Sequence, residues 1–170
     1  MIATLKLLKL GFLAWAVVEL AEGHFGYALA LVVTFAIVQV PRLLKLPWVF
    51  DAAFVVAWTL QSLGQVTGFF GTFSWWHILV HVSLPAVLAP TALIVFMRLG
   101  LLPNLIEDGR VHQGFAIGLL VFLLATAFGS LYEIYEWISD VNFGTHYDPT
   151  KAHALTDVSA NAAGGLFGGL

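Results

Sequence analysis

Apolar residues in this chain come in long, nearly unbroken runs, not in the alternation of a half-buried strand. Six such segments are read, at roughly residues 4–21, 25–40, 49–66, 75–97, 115–131 and 155–170. Each reads as an α-helix. A straight helix needs about 20 residues to cross a bilayer, and several of these are shorter, so some are expected to stop short of a full crossing. Glu22-Gly23-His24 joins the first two tightly enough for a helical hairpin. Pro41 and Pro47 bracket the second break, and Pro103, Asn104 and Gly109 mark the loop before the fifth segment. No linker, soluble domain, low-complexity tract or internal repeat interrupts the series. The expected architecture is all-α: one integral membrane domain over residues 1–170, a polytopic bundle of about six short helices.

Composition agrees. Of 170 residues, 60% are hydrophobic and only 10% charged, and mean hydropathy is +0.92. Soluble domains carry about a quarter charged residues. A water-soluble globule, a disordered chain and a basic nucleic-acid binder are excluded. Without cysteine there is no disulfide, thiolate nucleophile or Cys-ligated metal. Lys6 and Lys9 before an apolar run imitate a signal peptide, but Glu19 interrupts that run and no small-x-small cleavage site follows, so a retained first helix is expected. The ending Gly168-Gly169-Leu170 has no polar tail, which leaves room for a natural chain that runs on or for a partner that covers the end.

Charge sets the expected orientation. With a cytoplasmic N-terminus, the inner side holds Lys6, Lys9, Arg42, Lys45, Arg98 and Arg110, and the outer side only Lys151. Such a bias places both termini in the cytoplasm. Trp48, Trp75, Trp76 and Trp137 fall near segment boundaries, as interfacial anchors do.

In this topology the polar residues gather on one side. Glu19, Glu22 and His24 end the first segment; Gln61 and Gln65 lie in the outer half of the third; His77 and His81 open the fourth. Glu133, Glu136 and Asp140 end the fifth, His146, Asp148 and His153 follow, and Asp157 and Asn161 open the sixth. Asp51, Glu107, Asp108 and His112 are the inner exceptions. His77 and His81 are four apart and share a helix face, as two ligands of one metal do. Glu133, Glu136 and Asp140 fall within an arc of about 60° at roughly 100° per residue. Three acids on one face repel unless a cation or proton sits among them. Thr126 and Gly129 continue that stripe, and Gly164 and Gly168 continue the face of Asp157 and Asn161. Small residues there let a neighbouring helix approach closely.

Plainer roles compete. The acids suit a wet helix end, the histidines suit an interface, and Asp157 after Thr156 suits a helix N-cap. Lys6 and Lys9 suit topology signals, and Pro85 and Pro90 suit kinks in the fourth helix. His77 is followed by Ile78, so the H-E-x-x-H zinc-protease pattern is missing. Nucleotide loops and covalent haem motifs are missing too.

The second half resembles the YjdF-type inner-membrane protein family, itself distantly similar to VanZ-like proteins. The resemblance rests on W-W-H-I-L-V-H, Y-E-I-Y-E-W-I-S-D-V-N-F-G-T and L-T-D-V-S-A-N-A-A-G-G, within residues 75–169. It implies a small multi-helix bundle in a bacterial inner (plasma) membrane. It marks His77 or His81, then Glu133, Glu136 and Asp140, then Asp157, Asn161 and Gly164 as the matching positions. No reaction comes with it.

Three functions stay open. The first is a metal site of His77, His81, Glu133, Glu136, Asp140 and Asp157, facing the extracytoplasmic side and acting on a lipid-linked or phosphate substrate. Nitrogen and oxygen donors without sulfur suit zinc, manganese or iron. The second is an accessory subunit of a larger membrane complex or a homo-oligomer. The third is a proton-coupled transporter, which the mostly apolar inner halves of the helices disfavour. The lipid bilayer is the expected partner in all three, and nucleic acid in none.

Overall fold

The computed structural model describes residues 2–105, 112–143 and 151–169, except the side chains of residues 2, 135, 136, 139, 140, 142, 143 and 151–153. Among the described residues eight helices follow one another: α1 Ile2–Ala21, α2 Phe25–Ile37, α3 Val40–Leu43, α4 Trp48–Val66, α5 Phe69–Thr72, α6 Ser74–Arg98, α7 Gln113–Phe143 and α8 Lys151–Gly168. No strand occurs among the described residues. Among the described residues four stretches are long and apolar enough to cross a membrane: Phe25–Leu43, Trp48–Val66, Ser74–Arg98 and Gln113–Ile134. Helix α1 has the length, but Lys6, Lys9 and Glu19 break its apolar character. Helix α8 holds Asp157, Asn161 and several glycines. Leu7, Leu8, Val17, Leu29, Val56, Leu119, Leu123 and Phe167 are exposed along the helices. Water does not tolerate so much exposed apolar surface, whereas lipid does.

Helix ends follow local chemistry. Gly23, at φ +84°, closes α1 in a Schellman turn: the His24 amide donates to the Glu19 carbonyl at 2.8 Å, the Gly23 amide to that of Leu20 at 3.1 Å. Gly100, at φ +71°, closes α6 in the same way. The expected break at Pro41 moves. Pro41 needs no N–H at the start of α3, so the span runs on to Leu43, and Lys45, at φ 52°, makes the turn before Pro47. Helix α6 passes through Pro85 and Pro90 to Arg98.

The chain forms two compact units, Met1–Trp76 and His77–Leu170. In the first, Leu5, Phe12, Ala16, Leu31, Val38 and Val55 make the core. Lys9 lies on the same stripe of α1 as Leu5, Phe12 and Ala16, and its ammonium pairs with Asp51 in the first turn of α4. The side chains are 3% and 16% exposed, so Lys9 is a buried ion-pair partner, a role that the sequence did not reveal. The asymmetry gives a prediction. Asp51→Ala strands a buried ammonium and is expected to cost about 3 kcal/mol or more. Lys9→Met leaves only the more exposed carboxylate and costs less. Denaturant titration in detergent measures both, and exchange of the two residues recovers part of the loss.

In the second unit α8 lies antiparallel to α7 and parallel to α6. A Cβ built on Gly129 would meet Asn161, one on Gly165 would meet Ala125, and one on Gly169 would meet Gly118. On the other side Gly164 meets the Val82 carbonyl and Gly168 that of Ala86. Pro90 has no N–H for the Ala86 carbonyl, four residues earlier. Gly168 packs on that same oxygen. Beneath lies an apolar layer of Ala89, Leu93, Val121 and Ala125.

Candidate His–carboxylate centre

The register of α6, α7 and α8 collects four titratable side chains at one end of the second unit. His77 and His81 occupy successive turns of α6, and their Nε2 atoms are 3.1 Å apart in a hydrogen bond. The rings meet edge to face, with centroids 4.3 Å apart. His77 turns Nδ1 to Asp157 Oδ1 at 3.1 Å, and His81 turns Nδ1 to Glu133 Oε1 at 3.8 Å, an ion-pair contact. The order is therefore carboxylate, imidazole, imidazole, carboxylate. All four are largely buried, Asp157 most of all at 1% side-chain exposure. Tyr132, half exposed, lies edge-on to His81 with centroids 6.1 Å apart.

Asp157 does not cap its helix. Helix α8 begins at Lys151, so Asp157 sits well inside it, on a face that looks at α6. Glu133 falls in the last turn of the apolar stretch Gln113–Ile134. Of the six residues expected to line a site, His77, His81, Glu133 and Asp157 are brought together. Glu136 and Asp140 follow on the same helix, with side chains outside the described residues; His153 is in the same position on α8. Glu107, Asp108, Arg110, His146 and Asp148 lie outside the described residues altogether.

Proton counting shows what the arrangement can hold. Two neutral imidazoles carry two N–H protons. The Nε2–Nε2 hydrogen bond needs one, and a favourable approach of each Nδ1 to its carboxylate needs one more. Three protons make one ring an imidazolium and leave a net charge of −1 on the four groups. A divalent cation between the two Nε2 atoms gives the other solution. Both rings then stay neutral, both Nδ1–H groups face carboxylates, and the net charge is zero. Two nitrogens at 2.0–2.1 Å from a tetrahedral zinc stand about 3.3 Å apart, close to the separation found. Ligand atoms of His77, His81 and Asp157 lie within 4.8 Å of one another.

A second polar group closes the α1–α2 hairpin in the first unit. Trp15 Nε1 donates to Glu19 Oε1 at 2.9 Å, and His24 Nδ1 lies 2.9 Å from Glu19 Oε2 and 3.6 Å from Glu22. Glu19 is buried, while Glu22 and His24 are exposed. Glu19 lies at the helix end that the sequence indicates; its indole partner, Trp15, stands one turn earlier on the same face and gave no separate signal.

Exposed apolar helices around a buried ionisable cluster define an integral membrane protein. The chain belongs to the DUF2238 family, described as a predicted membrane protein, whose model matches residues 1–169. The family thus covers both units, not only the second half. Comparison with curated proteins and with solved structures finds no match.

Proposed function

We propose that the chain is a membrane metalloprotein in which His77 and His81 bind one divalent ion, zinc, manganese or iron, through Nε2. The observation that carries this is the facing pair of Nε2 atoms with a carboxylate behind each ring. Metal-binding imidazoles commonly donate their other N–H to a carboxylate, which fixes the tautomer. Asp157, 3.1 Å from His77 Nδ1, and Glu133, 3.8 Å from His81 Nδ1, stand on the side where such partners stand. A bound divalent ion supplies Lewis acidity toward a lipid-linked or phosphate substrate. Arg98 marks the opposite end of α6, about 25 Å beyond His81 at 1.5 Å per residue. If that basic end faces the cytoplasm, as the positive-inside bias favours, the centre opens to the extracytoplasmic side of a plasma membrane. The distant VanZ-like resemblance belongs to the same proposal.

A proton carrier is the second reading, favoured by the same four-group chain in its three-proton form. The apolar layer of Ala89, Leu93, Val121 and Ala125 weighs against a path through this unit. Asp157→Asn discriminates. In the metal reading it keeps one bound zinc per chain and weakens affinity about 10- to 100-fold, as chelator competition measures. Unchanged zinc affinity, or no zinc bound by the wild type, contradicts the metal reading. Proton flux into liposomes that Asp157→Asn abolishes favours the carrier.

A further inference from the structure

Asn161 is 3% exposed, and its Nδ2 has no hydrogen-bond partner among the described residues. An unmade hydrogen bond of a buried amide is costly, so such a group points to an absent partner. Its surroundings point the same way. Asn161 follows Asp157 by one helical turn. It stands between Asp157, paired with His77, and Gly164, which touches Val82; the intervening stretch of α6 holds His81. Across on α7 it packs on Gly129, four residues before Glu133. A Cβ at Gly129 would come within 2.4 Å of Nδ2, so only glycine leaves room for this amide. Glu133 and Asp157 contact His81 and His77, and neither carboxylate accepts from the Asn161 amide. The donor is left for an acceptor that comes from outside.

We propose that Asn161 donates this hydrogen bond to a phosphate oxygen of the ligand held at the His77/His81 centre. The proposal rests on the metal reading. A divalent ion there cancels the two carboxylate charges, and among oxygen acceptors an anionic one binds both the ion and an N–H donor most strongly. The phosphate comes either from a lipid headgroup or from a free phosphate.

The test is binding. Full-length protein in phosphatidylcholine nanodiscs, loaded with zinc, is titrated by calorimetry with inorganic phosphate and with a short-chain phosphatidic acid. The tighter of the two identifies the source. Asn161→Leu is expected to keep its zinc and weaken that ligand ten- to a hundredfold, the scale of one hydrogen bond to a charged group. It should melt at or above the wild-type temperature, since an unpartnered buried donor is gone. If it does not fold, Asn161→Asp, of the same size but without the donor, must show at least the same loss. Wild-type affinity in both variants, or no binding of either phosphate to the zinc-loaded protein, overturns the proposal. Phosphate binding that depends on Asn161 but not on zinc sinks the metal reading and leaves the Asn161 contact standing.

Discussion

Replacing His77 or His81 with alanine is expected to lower zinc affinity more than about 100-fold, beyond the 10- to 100-fold typical of losing a supporting carboxylate. Each ring contributes one of the two facing Nε2 atoms, so neither can be spared. Stability falls with it. His77→Ala leaves Asp157, 1% exposed, without the ring that faces it, and breaking a buried pair from one side costs about 3–5 kcal/mol. His81→Ala does the same to Glu133 at 8%. Elemental analysis of the purified variants measures the metal, and urea titration the stability. A His77→Ala protein with a full complement of zinc at wild-type affinity contradicts the ligand assignment. His24→Ala is the control: that ring is half exposed and belongs to the other unit, so zinc at the centre should be unchanged.

Gly164→Ala is expected to be the most damaging small substitution in the second unit. Its added methyl would lie 2.2 Å from the Val82 carbonyl oxygen. The obstacle is helix backbone, which cannot turn aside as a side chain does. Helix α8 must shift, and Asp157 and Asn161 shift with it. Overpacking commonly costs 1–3 kcal/mol, and a backbone obstacle puts this site near 3 kcal/mol. Gly168→Ala, 2.4 Å from the Ala86 carbonyl, should follow closely, whereas Gly118→Ala meets nothing nearer than 3.5 Å and should be tolerated. Thermal melts of the three in one detergent rank them. Equal melting for Gly164→Ala and Gly118→Ala contradicts the close α6–α8 approach.

Much of this was legible in the sequence because lipid imposes a simple code. Long apolar runs mark helices, and α4 and α6 begin and end within a residue of the expected segments. Helix α7 runs further, to Phe143, because nothing in Glu133–Phe143 breaks a helix; the expected segment stopped where apolarity stopped, not where helix propensity did. Spacing put His77 with His81 and Asp157 with Asn161 on common faces. It did not say which acid meets which ring, because that depends on α8 running antiparallel to α7 and parallel to α6, a tertiary fact. The pairing of Lys9 was hidden for a related reason. Its position between Leu5 and Phe12 on the buried stripe was visible, but its partner Asp51 is 42 residues away, and only packing brings them together. The short α5, Phe69–Thr72, left no hydrophobic period to detect.

Zinc K-edge X-ray absorption on the purified full-length protein, with manganese and iron edges collected alongside, is the most direct measurement of the central assignment. The expected spectrum shows one metal per chain with a first shell of nitrogen and oxygen that includes two imidazoles, and loss of imidazole scattering in His77→Ala. A protein that folds, stays metal-free after exposure to all three ions, or binds one with no imidazole in its first shell contradicts it.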